Sequence, residues 1–164
     1  MTKENDADFM REALRVAMER GGDPSLAPIG CVIVLDGKVV ARERNHVEDK
    51  CDVSAHAEIE ALRAAGKGRK NGELRGATVY TTLQPCGMCT MALIWAKVAR
   101  IVYGAGRVDV NSLYFEARHI DTLDFVAQAY REDISIEGGL LREECAQLYW
   151  RPWDKPPGAQ KANL

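Results

Sequence analysis

Two short clusters in this chain bring together residue types that hold a metal ion. His56-Ala57-Glu58 supplies an imidazole and a carboxylate, and Pro85-Cys86-Gly87-Met88-Cys89 supplies two thiols. One imidazole and two thiolates make three protein ligands for zinc and leave a fourth tetrahedral position for water, whereas a structural zinc is normally closed by four protein ligands. Glu58 stands close enough to the histidine to take a proton from that water and pass it on, as metal-assisted hydrolysis requires. Cys86 and Cys89, three apart, share one side of a helix and can reach a single ion. A helix N-terminus and the cation both favour their thiolate forms. His56 and Glu58 are only two apart and would diverge in mid-helix, so the pair is expected at a first turn.

Each cluster alone also has a plainer reading. A C-x-x-C pair serves as a redox dithiol or as half of a structural zinc site, but no second C-x-x-C or C-x-x-H is present, and neither role accounts for His56-Ala57-Glu58. A lone histidine often caps a helix, and a lone glutamate often lies on a wet helix face. The conjunction of the two clusters favours an open catalytic zinc site.

The elements that must position these groups can be read from periodicity. Phe9, Met10, Leu14, Ala17 and Met18 recur at helical spacing over 6–20, and Gly21-Gly22 stops that helix. The run 30–35 reads as a strand, Asp36-Gly37 as a two-residue turn and 38–41 as the returning strand. A polar loop, 42–54, leads to a helix over 55–65 closed by Gly66, and a basic loop follows. Residues 77–83 read as a strand, 86–97 as a buried helix, 100–104 as a strand, 119–130 as a helix, 133–136 as a strand and 140–149 as a last helix. Each cluster therefore opens a helix. Alternating strands and helices predict a three-layer α/β domain in which the last two strands run parallel.

At 164 residues, 46% hydrophobic and 28% charged, the chain is expected to be one domain, 1–164, with 150–164 as a C-terminal tail or lid. The formal net charge of -2 weighs against nucleic acid as a partner and favours a small-molecule base. Five cysteines, an odd set, and an N-terminus without an apolar run predict a reducing cytoplasmic setting. No segment approaches the roughly twenty apolar residues of a membrane span. Cys31 and Cys145 read as small buried hydrophobes, Cys51 is assigned nothing, and Lys67, Arg69 and Lys70 read as a solvated loop.

From Asn45 to Asp109 the chain resembles the zinc-dependent cytidine/deoxycytidylate deaminase superfamily, in the branch of cytosine deaminases, guanine deaminases and tRNA adenosine deaminases. Thr81-Thr82-Leu83-Gln84-Pro85-Cys86-Gly87-Met88-Cys89-Thr90 is similar to the zinc helix of cytosine deaminases, and Pro28-Ile29-Gly30-Cys31 to their first strand. The resemblance implies a three-layer α/β/α fold with a five-stranded mixed sheet and helices on both faces, and a homodimer. It implies zinc on His56, Cys86 and Cys89, with Glu58 as proton shuttle. It also implies substrate contacts at Asn45, Ala57, Asp109, Trp95, Tyr114 and Phe115, with Asn45 and Asp109 meeting the base.

Local readings compete with these roles. They are an Asx turn for Asn45, a turn or cap for Asp109, core packing for Trp95, and packing or an interface for the aromatics Tyr149, Trp150 and Trp153. Ile94-Trp95-Ala96-Lys97 resembles guanine deaminases more than tRNA enzymes, while Gln84 stands where many relatives carry glutamate. Together these features point to hydrolytic deamination of a free nucleobase or related heterocycle of cytosine, guanine, pterin or triazine type. A tRNA adenosine-to-inosine deaminase is the alternative, and a zinc-binding or thiol-redox module the non-enzymatic one.

Overall fold

A computed structural model describes residues 3–21, 23, 26–110, 121–129 and 132–150. β1 (Gly30–Leu35) and β2 (Lys38–Arg44) form an antiparallel hairpin. Asp36 and Gly37 turn it with φ of 51° and 72°, the pair of positive φ values whose twist matches the flanking strands. β2 runs three residues past the expected end at Ala41. Arg42, Glu43 and Arg44 read as loop because they are polar, but β2 is an edge strand and carries such charges on its open side.

β3 (Thr78–Leu83), β4 (Arg100–Ala105) and β5 (Ser135–Gly138) complete a five-stranded sheet in the order β2-β1-β3-β4-β5. β1 is antiparallel to both its neighbours, and β3, β4 and β5 run parallel, as a helix between each pair requires. All six residues of β1 and of β3 are buried, because the sheet is covered on both faces. Cys31, Ile33 and Leu35 pack with α3 (Ala57–Arg69), α4 (Gly87–Trp95) and α5 (Thr122–Ala127). The alternate residues Val32 and Val34 pack with α1 (Lys3–Ala17) and α6 (Arg142–Gln147). The chain therefore has the expected three-layer α/β/α fold.

Two helices differ from the expectation. A single turn, α2 (Val47–Lys50), lies in the stretch read as loop. α3 does not stop at Gly66 but runs to Arg69, where Lys70 closes it in the left-handed conformation and donates to the carbonyls of Gly66 and Lys67. Ala57, Ala61 and Ala65 keep one face of α3 buried, and that packing outweighs the cost of about 1 kcal/mol for an internal glycine. At the other face, Gly104 lets α6 lie directly on β4, since a Cβ there would stand 2.2 Å from Cys145 Sγ. Among the described residues no helix is long and apolar enough to cross a membrane.

Candidate metal centre and active site

The connections leaving the carboxyl ends of β3 and β4 share one edge of the parallel part of the sheet, where ligands bind in open α/β folds. β3 leads through Gln84 and Pro85 into Cys86, the N-cap of α4, and His56 is the N-cap of α3. Both caps have extended backbones, and neither side chain caps its own helix. The capping reading of His56 is therefore excluded. Its ring Nδ1 instead lies 3.7 Å from Cys86 Sγ and 3.5 Å from Cys89 Sγ.

These three ligand atoms all lie within 4.8 Å of one another. Around a tetrahedral zinc, bonds of about 2.3 Å to sulfur and about 2.0–2.1 Å to nitrogen separate S from N by about 3.5 Å. The donor set thus fits zinc in both chemistry and spacing, with Nδ1 as the imidazole ligand. Two helix N-termini, which favour negative charge, meet at the same point.

The thiols are strongly coupled. Cys86 is held down to about 4, chiefly by its hydrogen bond with Cys89 and then by His56. Cys89 is pushed up by the same bond with Cys86 and by burial. The two thiols are thus pushed in opposite directions by the bond they share, and a cation bound between them would take both sulfurs as thiolates. His56 is raised, first by its hydrogen bond with Cys86.

Glu58 occupies the second position of α3, at the first turn as expected, and is only 3% exposed. Burial pushes its carboxyl above the ordinary carboxylate range, and the neighbouring Cys86 acts in the same direction. Thr81 Oγ1, in the middle of β3, donates to Glu58 Oε1 at 2.8 Å and acts against this shift. A buried carboxyl with a raised pKa beside metal ligands marks a functional site rather than a wet helix face. Ala57, between His56 and Glu58, is fully buried at the first position of α3, whose N–H has no intrahelical acceptor.

The remaining expected contacts are spread more widely. Asn45 donates its backbone N–H to Ile29 O at 2.9 Å and accepts from Arg44 at its carbonyl. Its side-chain amide is buried and has no hydrogen-bond partner among the described residues, so it makes no Asx turn. Asp109 Oδ2 accepts from Gly106 N at 2.8 Å, its Oδ1 pairs with Arg142, and its carbonyl accepts from Trp150 Nε1 at 3.0 Å. That carboxylate is engaged within the fold, as the turn reading has it. Trp95 lies on the last turn of α4, about 13 Å along the helix from Cys86. It is 65% exposed, so it neither packs in the core nor joins the ligand group. Tyr114, Phe115 and Trp153 lie outside the described residues. Tyr149 is fully buried, its hydroxyl 2.7 Å from Thr82 Oγ1, which meets the packing reading for the last helix.

Sequence reasoning missed the polar side chains of β3 and its exit. Thr82 Oγ1 also accepts from Gly30 N at 3.1 Å. Gln84 donates to Thr122 Oγ1 at 2.9 Å and accepts from the Arg107 backbone at 3.2 Å, tying α5 and the β4 exit to the approach to Cys86. The available signal was the run Thr81, Thr82, Gln84 in an otherwise apolar segment, because a buried polar group is retained where it has a partner.

The fold and donor set define a zinc deaminase. Residues 3–105 match the cytidine and deoxycytidylate deaminase zinc-binding region, and the chain belongs to that family, with zinc as its cofactor. A tRNA-specific adenosine deaminase of Buchnera aphidicola subsp. Schizaphis graminum is 35% identical over 150 residues, 90% of this chain and 93% of the relative. A solved structure from a study of A-to-I editing by tRNA:A34 deaminases is 35% identical with a TM-score of 0.71, covering 86% of this chain and 98% of that one. A guanine deaminase structure from Nitrosomonas europaea has a TM-score of 0.74 over 87% of this chain and 81% of that one, at 24% identity, and shows the shared fold.

These relatives correct two expectations. A free nucleobase as substrate, and with it a small-molecule partner to the exclusion of nucleic acid, is overturned by whole-length relatives named for tRNA. The net charge misled because it is a sum over the chain. Ion pairs such as Asp6 with Arg100, Glu12 with Arg42 and Glu60 with Lys50 cancel acid and base alike, and the sum does not say which charges stand on the surface that meets a partner.

Proposed function

We propose that this chain deaminates adenosine in tRNA to inosine. The observation that carries the chemistry is the three-atom donor set at tetrahedral spacing with the buried Glu58 beside it. The substrate is supported by the whole-length relatives, which are named as tRNA adenosine deaminases. His56, Cys86 and Cys89 would hold the ion, which when bound supplies Lewis acidity and makes hydroxide available near neutral pH. Glu58 accepts one proton of the attacking water and delivers it to the adjacent ring nitrogen, then takes the remaining proton from the newly formed C–OH and passes it to the departing amine. The water oxygen bonds to the carbon bearing the amino group, the C–N bond breaks and ammonia leaves. Burial keeps bulk water from short-circuiting this transfer. Asn45, whose buried side-chain amide has no partner among the described residues, offers a donor and an acceptor to the base.

Zinc-loaded protein incubated with a tRNA anticodon stem-loop carrying adenosine at the wobble position is expected to form inosine. No inosine from fully loaded protein would overturn the substrate.

We also propose that two copies pair through the outer face of α4, where Met88, Met91 and Trp95 follow helical spacing and are 40%, 37% and 65% exposed. Sedimentation should show a dimer that Trp95→Glu dissociates. A monomeric wild type would contradict the pairing.

A further inference from the structure

We propose that Thr81 is a positioning residue for the proton-transfer step, fixing the Glu58 carboxyl so that Oε2 is the oxygen that exchanges protons with water and base. This rests on Glu58 being the proton carrier in the reading above. Thr81 is fully buried, and its backbone is held from both sides, opposite Cys31 of β1 and Tyr103 of β4. Its hydroxyl reaches across 23 positions of sequence to donate to Glu58 Oε1 at 2.8 Å.

Three features make this more than packing. A hydroxyl buried in an all-buried strand is costly unless it is bonded, and Thr81 is bonded to the Glu58 carboxyl. A β-branched side chain is stiff at χ1, so a donor on Thr81 is held in place in a way that a water or a longer side chain is not. Glu58 has three rotatable side-chain bonds, and no lysine or arginine is hydrogen-bonded to it among the described residues. Thr81 engages Oε1 and sets the carboxyl plane; the carboxyl's other contacts are the Glu58 backbone N–H and the Cys89 thiol on the metal side, the side on which Oε2 would meet water and base.

The test compares zinc-loaded full-length wild type with Thr81→Val, Thr81→Ser, Glu58→Ala and the double variant Thr81→Val/Glu58→Ala. Inosine formation on the stem-loop is read as kcat and KM, beside zinc content and melting temperature. Valine keeps the shape and removes the donor. Thr81→Val is expected to lose roughly tenfold to a hundredfold in kcat with KM and zinc content unchanged, as misplacement of a catalytic group does. Thr81→Ser is expected within about threefold of wild type, because it restores the donor. A purely structural role would instead make serine, which opens a small cavity, no better than valine. Wild-type kcat in Thr81→Val, or equal loss in the serine and valine variants, overturns the proposal.

If the wild type forms no inosine, the substrate reading fails and the melting temperatures decide. The shift caused by Thr81→Val is expected to shrink when Glu58 is already alanine, since the two groups share one bond. Additive shifts overturn the link between Thr81 and Glu58 whatever the substrate.

Discussion

Neighbouring residues of β3 point to opposite faces of the sheet, and each donates a hydroxyl hydrogen bond to a buried carboxyl group. On the α1 side, Tyr80 OH donates to Asp6 Oδ1 at 2.6 Å, and the Arg100 guanidinium grips both oxygens at 2.9 and 2.8 Å. Asp6 is 5% exposed, yet its carboxyl is held below the usual carboxylate range, first by the Arg100 hydrogen bonds. On the α3 side, Thr81 donates to Glu58, which is as little exposed at the surface but lies deeper in the protein and has no arginine bonded to it among the described residues, and its carboxyl is pushed up, first by burial. Both depth and wiring separate the two. A buried carboxylate with a bidentate counter-charge holds its proton state fixed and serves as a staple. One held by neutral donors alone, without a bonded guanidinium, changes proton state more easily, which suits a site that moves protons.

Exchanging the two carboxyl groups for amides tests the contrast. Glu58→Gln is expected to lower turnover by at least roughly 10²-fold to 10⁴-fold, the range of general acid–base catalysis, while the melting temperature does not fall. Asp6→Asn is expected to leave turnover within about twofold but to cost about 2 kcal/mol of stability, because Arg100 loses a charged partner. In a domain of this size that is about 5 °C in melting temperature. If Asp6→Asn silenced the folded enzyme, or Glu58→Gln unfolded it, the contrast would be broken.

A smaller effect sharpens it. Because the folded-state pKa of Asp6 lies below its ordinary value of 3.8, its contribution is complete above about pH 4 and is lost as the pH falls through the folded-state value. Denaturant midpoints of wild type and Asp6→Asn should therefore converge on acidification below about pH 4. A gap that stays constant would remove Asp6 as the cause.

The gathering of His56, Cys86 and Cys89 into a group that could hold a metal, with Glu58 beside it, was legible in the sequence because their relation is local. Cys86 and Cys89 are one helical turn apart, and His56 and Glu58 share a first turn, so residue type and spacing nearly fix the geometry. The hairpin was legible for the same reason, through Asp36-Gly37. What stayed hidden depends on partners distant in sequence. Thr81 finds Glu58 across 23 positions, Gln84 finds Thr122 across 38, and Tyr80 finds Asp6 across 74. No periodicity reports such pairs. The charged end of β2 read as loop because only the finished sheet shows it to be an edge. The substrate was misjudged because composition gives a total charge and not a surface.

X-ray absorption at the zinc edge of the full-length protein tests the central claim most directly. One zinc per chain is expected, with two sulfur neighbours at about 2.3 Å, one imidazole nitrogen at about 2.0–2.1 Å and one light oxygen scatterer, a pattern that His56→Ala disrupts. A shell of four sulfurs, a shell without sulfur, or a spectrum unchanged in His56→Ala would contradict it.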